Sequence, residues 1–329
     1  HMNKYIVLFV FLISFNLTNY GHSQPGYWQQ KAEYTIRVTL DPKVHKMIGT
    51  EELIYTNNSP DTLHQVFYHL YFNAFQPNSE MDVRSRTIAD PDSRVGTRIS
   101  KLKPNEIGEY FIKTIQQNGK QIKSFKVNGT ILTVNLVQPI LPGKKVTLSM
   151  AYECQVPVQI RRTGRYNKEN IAYSMAQWYP KMAEYDKFGW ATDPYVGREF
   201  YGVWGTYNVF LTVPDSFKIA GTGIQVSSLS TPFVKDDAKA SAAKEKYTTY
   251  NFKAENVHDF VWAADPHYKI DRITAAPGLD LVFAYKEDMK SAANWKTLQP
   301  IMKEAILFAS QRFGQYPYKQ YSFIQGGDG

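Results

Sequence analysis

Apolar and polar residues alternate with a period of two along most of this chain, and near its carboxyl end the period changes to that of a helix. Tyr34, Ile36, Val38 and Leu40 alternate with polar neighbours, the mark of a half-buried strand, and Gly49 to Tyr55 continues the pattern. Val66 to Phe75 is apolar on both faces and is expected as a central strand. Gln76 to Ser100 is polar, carries Asp90-Pro91-Asp92-Ser93, and is expected as a long loop. Asn118-Gly119 and Asn128-Gly129 each suit a two-residue hairpin, because both residue types tolerate positive φ. The second hairpin would pair Ile122 to Val127 with Ile131 to Leu136, and Leu141-Pro142-Gly143 would turn the chain into Val146 to Tyr152. Meandering antiparallel strands are the simplest arrangement. A second β-rich stretch runs from Tyr207 to about Ile270, with charged Lys235 to Lys246 as a solvated loop.

The change of period sets the expected organisation. Leu279 to Tyr285 reads as a strand. From Ala292 to Phe313 the residues Trp295, Leu298, Met302, Ala305 and Ala309 share one helical face. Pro300 is expected to kink that helix or to start its main part, Gly314 to stop it, and Gln320 to Gln325 to begin another strand. The fold class expected is mainly β: an antiparallel β domain over residues 24–270, then the first strand-helix-strand elements of an α/β domain over 271–329. Composition agrees, since 23 Tyr, 19 Phe and 6 Trp suit sheets better than helices.

Residues 1–23 are set apart. His1 before Met2 reads as a cloning remnant. Lys4, the short apolar run Tyr5 to Leu17 and the small-x-small end Gly21-His22-Ser23 describe a secretory signal peptide, so the protein is expected in the periplasm or outside the cell. The run is too short for a comfortable membrane span, no Cys lies near the cleavage point, and no stable membrane anchor is expected after cleavage. The formal charge of +8 is scattered; Arg161, Arg162 and Arg165 form the densest cluster, and no basic stripe suggests nucleic-acid binding. Cys154 is the sole cysteine, so an internal disulfide is excluded, and its alternating surroundings suggest a buried small side chain.

Catalytic signatures are sparse. The histidines are His1, His22, His45, His64, His69, His258 and His267. His64 and His69 would point to opposite faces of a strand, and no His-Glu-x-x-His occurs. Gly-x-Ser-x-Gly, a Walker loop and a dinucleotide fingerprint are also absent. The unusual segment is Tyr173 to Trp204. It holds Trp178, Tyr179, Tyr185, Phe188, Trp190, Tyr195, Phe200, Tyr201 and Trp204 among Gln177, Lys181, Glu184, Asp186, Asp193, Arg198 and Glu199. It reads equally as a binding wall and as a long loop packed by its own aromatics.

Four segments, in order, carry a resemblance. They are Tyr68-His-Leu-Tyr-Phe-Asn-Ala-Phe75; Ala176-Gln-Trp-Tyr-Pro-Lys-Met182 continuing to Asp193-Pro-Tyr-Val-Gly-Arg-Glu-Phe-Tyr201; Val257-His-Asp-Phe-Val-Trp-Ala-Ala264; and Phe313-Gly-Gln-Tyr-Pro-Tyr318 leading to Phe323-Ile-Gln-Gly-Gly327. Together they resemble the amino-terminal part of the aminopeptidase N family of zinc metallopeptidases, and of exported bacterial members in particular. The resemblance implies a saddle-shaped β domain, the opening of a thermolysin-like catalytic domain, a zinc cofactor in the full-length protein and a peptide substrate. It also implies that the chain stops before the zinc-binding motif and is inactive alone. Gln177, with Pro180 in register, matches a Gln of the family's substrate pocket. Tyr179 stands where the family has an acid or amide that holds the substrate's amine; a phenol offers an ammonium group no charge. Gly327 and Gly329 would enter the substrate-binding strand. The alternatives are a non-catalytic exported β-rich module for peptides or glycans, using the Trp178 to Trp204 aromatics, and a family scaffold that lost its zinc site.

Overall fold

The computed structural model describes residues 26–197, 201–232, 246–287 and 290–327. The segment expected as a signal peptide, nearly all of the segment Lys235–Lys246 expected as a loop, residues 198–200 and Gly329 lie outside these. The chain is mainly β, as the alternation requires.

The largest sheet has eight strands, in the order Ile224–Pro232, Lys246–Val257, Gly205–Pro214, Lys31–Asp41, Lys46–Thr56, Lys145–Gln155, Glu109–Gln117 and Lys120–Gln121. The expected meander needs one correction. Lys31–Asp41 and Gly205–Pro214, far apart in sequence, lie side by side and run parallel, with Tyr34 opposite Tyr207 and Val38 opposite Leu211. Each has an antiparallel partner on its other side, so the parallel seam joins two antiparallel ribbons. The period of two then puts one parity of each strand inside: Tyr34, Ile36, Val38 and Leu40; Leu148, Met150, Tyr152 and Cys154; Tyr207, Val209, Leu211 and Val213. Burial raises the pKa of the Cys154 thiol, so it is an inert core side chain.

A four-stranded sheet, Lys181–Met182, Leu63–His69, Ile131–Ile140 and Phe125–Asn128, covers this core with Val66, Tyr68, Leu132 and Val134. Leu63–His69 is internal to that sheet, but it ends earlier than expected, and Tyr71–Ala74 form a buried 3-10 turn. The Asn118-Gly119 hairpin forms as expected, with φ of 50° and 78°. The second hairpin is displaced by one residue: Asn128 pairs with Ile131, which leaves Gly129 and Thr130 as the turn. The supposed loop after Gln76 contains a helix, α1 (Glu80–Thr87), whose first-turn Asp82 N–H donates to the Ser79 Oγ at 3.2 Å. Its apolar residues follow no helical period, so only the cap and the charges mark it.

A third sheet, Lys218–Gly221, Trp262–Asp265, Tyr173–Met175 and Thr163–Arg165, has two different faces. One gives Trp262, Tyr173 and Met175 to the main core. The other is made of small residues, and its Ala220 and Ala263 pack with Tyr268, Ala284 and Ile324. Those last residues belong to the carboxyl-terminal sheet, Tyr268–Ala276, Leu279–Lys286 and Gln320–Ile324, whose last two strands are parallel. Between them runs helix α2 (Ala292–Phe313). It seats Ala292, Trp295, Met302 and Ile306 on Leu281, Phe283 and Tyr285, and the Trp295 and Tyr285 rings stack at 5.5 Å. The buried face is thus rotated from the expected one, for Ala305 and Ala309 are exposed, and the helix runs through Pro300 without a break. Among the described residues no helix is long and apolar enough to cross a membrane.

Candidate functional site

The segment after Met175 must leave the third sheet and enter the core within a few residues. Two anchors fix its path. The Trp178 indole N–H donates to the Phe260 carbonyl at 3.0 Å, and its ring meets Trp262 edge-on at 5.8 Å. The Tyr179 hydroxyl lies 2.9 Å from that of Tyr207 and donates to Asp259 Oδ1 at 3.1 Å. Pro180 follows, and Lys181–Met182 pairs with His69 and Tyr68. The bend that this path demands falls on Gln177, whose φ is +52°. A left-handed backbone on a residue other than Gly, Asn or Asp costs on the order of 1–3 kcal/mol. The Gln177 side chain is 5% exposed, and its Oε1 is buried without a hydrogen-bond partner among the described residues. A strained backbone that carries an unpaired buried carbonyl is an arrangement that packing alone does not explain.

The end of the described chain lies on the same sheet. Asn167 Nδ2 donates to the Gly326 carbonyl at 2.6 Å, and Gln159 Nε2 reaches the same oxygen at 3.5 Å. A Cβ on Gly326 would sit 3.1 Å from the Ser174 Oγ, three residues before Gln177. At Gly327, where φ is +70°, a Cβ would fall 2.2 Å from Asn167 Nδ2. At Gly327 a side chain meets both close approach and an unfavourable conformation, whereas at Gly326 the Ser174 Oγ would have to give by a few tenths of an ångström. The Tyr268 hydroxyl donates to the Gln325 carbonyl at 2.5 Å, and Gln325 Nε2 donates to Glu169 at 3.1 Å, so the strand end is held on both sides. Beside it, buried Arg161 donates to the Tyr195 hydroxyl at 3.0 Å and lies 3.2 Å from Asp92. Hydrogen bonding to Arg94, reinforced by the Arg161 charge, holds the Asp92 carboxyl down to about 2.

Of the residues expected at the site, Gln177 follows the strand Tyr173–Met175, Gly327 lies against Asn167, and Gly329 is outside the described residues. Tyr179 has no accessible surface. Its phenol is spent on Tyr207 and Asp259, and desolvation, with the Tyr207 and Asp259 charges, pushes its ionisation far up. The position after Trp178 is turned into the core by the bend at Gln177. Sequence reasoning did not single out Asn167 or Gln159, which meet Gly326 from far away in the chain, or Asp259, which meets Tyr179.

Among solved structures, the M1 zinc metallopeptidase from Deinococcus radiodurans matches with a TM-score of 0.52 at 12% identity, over 90% of this chain and 56% of that one. A mutant M1 zinc metallopeptidase of two domains bound to L-arginine gives 0.53 at 13% identity over the same shares. A mutant from Deinococcus radiodurans bound to a Tyr-Ser-Ala substrate gives 0.53 at 12% identity. The fold resembles that of the M1 zinc metallopeptidases. Comparison with protein-family models and with curated proteins gives no match. The chain spans 56% of the length of these solved structures.

These neighbours are zinc metallopeptidases, so the donor set of this chain is the next question. Among the described residues no group of three or more His, Cys, Asp or Glu side chains is placed to hold a metal ion. Burial and the nearby Lys181 lower His69 to about 4, so it is a neutral core residue. Asp265 accepts from the Ala172 and His267 backbone N–H groups. The described residues do not fit a zinc centre.

Proposed function

We propose that this chain is the amino-terminal, β-rich part of an exported zinc-dependent aminopeptidase, an enzyme that removes residues from the amino end of peptides. In this reading residues 24–270 form the β domain and 271–329 open the catalytic domain. Zinc and the water it activates belong to residues other than those described, and this chain supplies a wall that orients the peptide. Gln177 is the group on that wall: its carbonyl oxygen, unpaired and nine-tenths buried, suits an N–H donor at the peptide's amino end. Tyr179 acts through Gln177 by anchoring the bend, and Gly327 with Gly329 continues into the strand along which the peptide backbone lies.

The observation that carries this reading is Gln177, left-handed in backbone and with its buried side-chain carbonyl unpaired among the described residues, within a fold whose neighbours include a metallopeptidase bound to a Tyr-Ser-Ala substrate. The isolated 329-residue chain is expected to release no 4-nitroaniline from leucyl-4-nitroanilide. Chelator-sensitive hydrolysis by the purified chain, with contaminating proteases excluded, contradicts that assignment.

A second reading, a non-catalytic module for peptides or glycans, has one observation in its favour. Tyr185, Phe188, Tyr201 and Trp204 of the aromatic segment line a cavity.

A further inference from the structure

That cavity, of about 500 Å³, lies between the segment Gly26 to Gln29, the hairpin Tyr185–Asp186 with Gly189–Trp190, and the segment Tyr201 to Trp204. Its walls are aromatic. Trp28 stacks on Tyr185 with centroids 5.9 Å apart, Trp204 meets His258 edge-on at 4.9 Å, and Tyr27, Phe188 and Tyr201 are exposed at the rim. Two carboxylates face this space, Glu184 and Asp186.

The two acids differ in what they have to spend. Asp186 accepts from the Phe188 backbone N–H at 2.7 Å and from the Tyr201 hydroxyl at 3.0 Å, so each of its oxygens already holds the rim together. Glu184 is 8% exposed, and among the described residues its carboxyl accepts one hydrogen bond, from the backbone N–H of Tyr185. The nearest buried cation, Lys181, is committed elsewhere: it donates to the His258 carbonyl at 2.6 Å and lies 3.5 Å from Asp259. Lys187 is turned over the ring of Phe188 at 4.9 Å. Among the described residues Glu184 is therefore a buried carboxylate without a paired cation, in an aromatic-lined cavity, on a chain whose net charge is +8. Ring faces and a desolvated carboxylate both attract a positive charge and reject a negative one.

We propose that this cavity binds an organic cation, a primary ammonium on a short apolar stem, with Glu184 as its counter-ion and the rings of Trp28, Tyr185, Tyr201 and Trp204 as its walls. The proposal is independent of the peptidase reading. A saccharide fits less well, because it needs several free donors and acceptors around a flat platform. Here Asp186 is already engaged, and Gln29 donates to the Tyr27 hydroxyl at 2.5 Å.

Linkage gives the site a signature. Desolvation and the neighbouring Asp186 charge raise the Glu184 carboxyl to about 7, against the opposing Tyr185 N–H and Lys181. Tyr55 and Tyr201 also face it and stay neutral, their own ionisation pushed up. A bound ammonium favours the ionised carboxylate, so binding near pH 7 must expel a proton.

Titration calorimetry of the full chain with n-butylammonium chloride tests this. Binding is expected at pH 8 with a Kd on the order of 1 mM. It should weaken about tenfold or more by pH 5.5, as Glu184 takes up its proton. At pH 7, heats in buffers of different ionisation enthalpy should show release of about half a proton per cation bound. Glu184→Gln should remove the binding, Glu184→Asp should keep part of it, and Gln177→Ala should leave it unchanged. Binding of n-butanol as tight as that of n-butylammonium overturns the proposal. So does binding without proton release, retention in Glu184→Gln, saturable binding of maltotriose in place of the cation, or no binding at all.

Discussion

Glu51 shows how a single residue can obey a pattern and oppose it at once. It occupies the inward parity of Lys46–Thr56, between Leu53 and the close-packed Gly49, and neither carboxyl oxygen has a hydrogen-bond partner among the described residues. Desolvation pushes its carboxyl well above 4.5. The folded state then keeps a proton that the unfolded state releases, so stability is highest below pH 4.5 and falls as pH rises toward the folded value. Each pH unit in that window costs about 1.4 kcal/mol. Glu51→Gln is expected to gain stability over the parent at pH 7 and little at pH 4, as read by urea midpoints. An equal gain at both pH values contradicts the assignment. The parity of Glu51 was legible in the alternation, but its lack of a partner was not, because partners come from other strands. Gln177 is the converse. Nothing local predicts a positive φ at Gln; its place at the site came from resemblance, and its strain from the two anchors, Trp178 and Tyr179, that follow it.

At the scale of elements, the sequence was most legible where a period or a turn residue acts locally. The ends of α2 fall where the helical pattern and Gly314 put them. Gly314 has φ of 107° and ψ of 154°, a region closed to residues with a Cβ, and a Cβ there would meet no atom within 4 Å. Gly314→Ala should therefore cost about 1–3 kcal/mol through conformation alone, seen as a lower thermal midpoint. A neutral effect would mean that the last turn rearranges freely. The buried face of α2 was less legible: Leu298, Ala305 and Ala309 continue the helical period, yet Gln299 turns inward to donate to Asp271 at 2.8 Å, and Ile306 packs in their place. Helix α1 was missed because a short, charged helix buries too little apolar surface to leave a period. The displaced second hairpin reflects a tertiary demand, since the Thr130 Oγ1 in its turn accepts from the Tyr195 backbone N–H at 2.9 Å.

For the whole molecule, fold class was legible and topology was not. Alternation says that strands exist; it cannot say that Lys31–Asp41 lies parallel to Gly205–Pro214. The same limit applies to the site, whose parts, Gln159, Asn167, Gln177 and Gly326, come from separate strands and loops. The small-residue face of the third sheet, with Ala220, Ala263 and Ser174, lets the carboxyl-terminal sheet approach and delivers Gly326 and Gly327 to Asn167. The central claim is that Gln177 orients a peptide for an aminopeptidase. It is tested most directly by kcat/KM for leucyl-4-nitroanilide in the natural gene product that carries this chain, compared between the parent and Gln177→Ala. A chelator-sensitive parent activity and a loss of about 10–100-fold in Gln177→Ala, with thermal stability unchanged within about 1 kcal/mol, is the expected result. No chelator-sensitive aminopeptidase activity, or an unchanged kcat/KM in the variant, contradicts the claim.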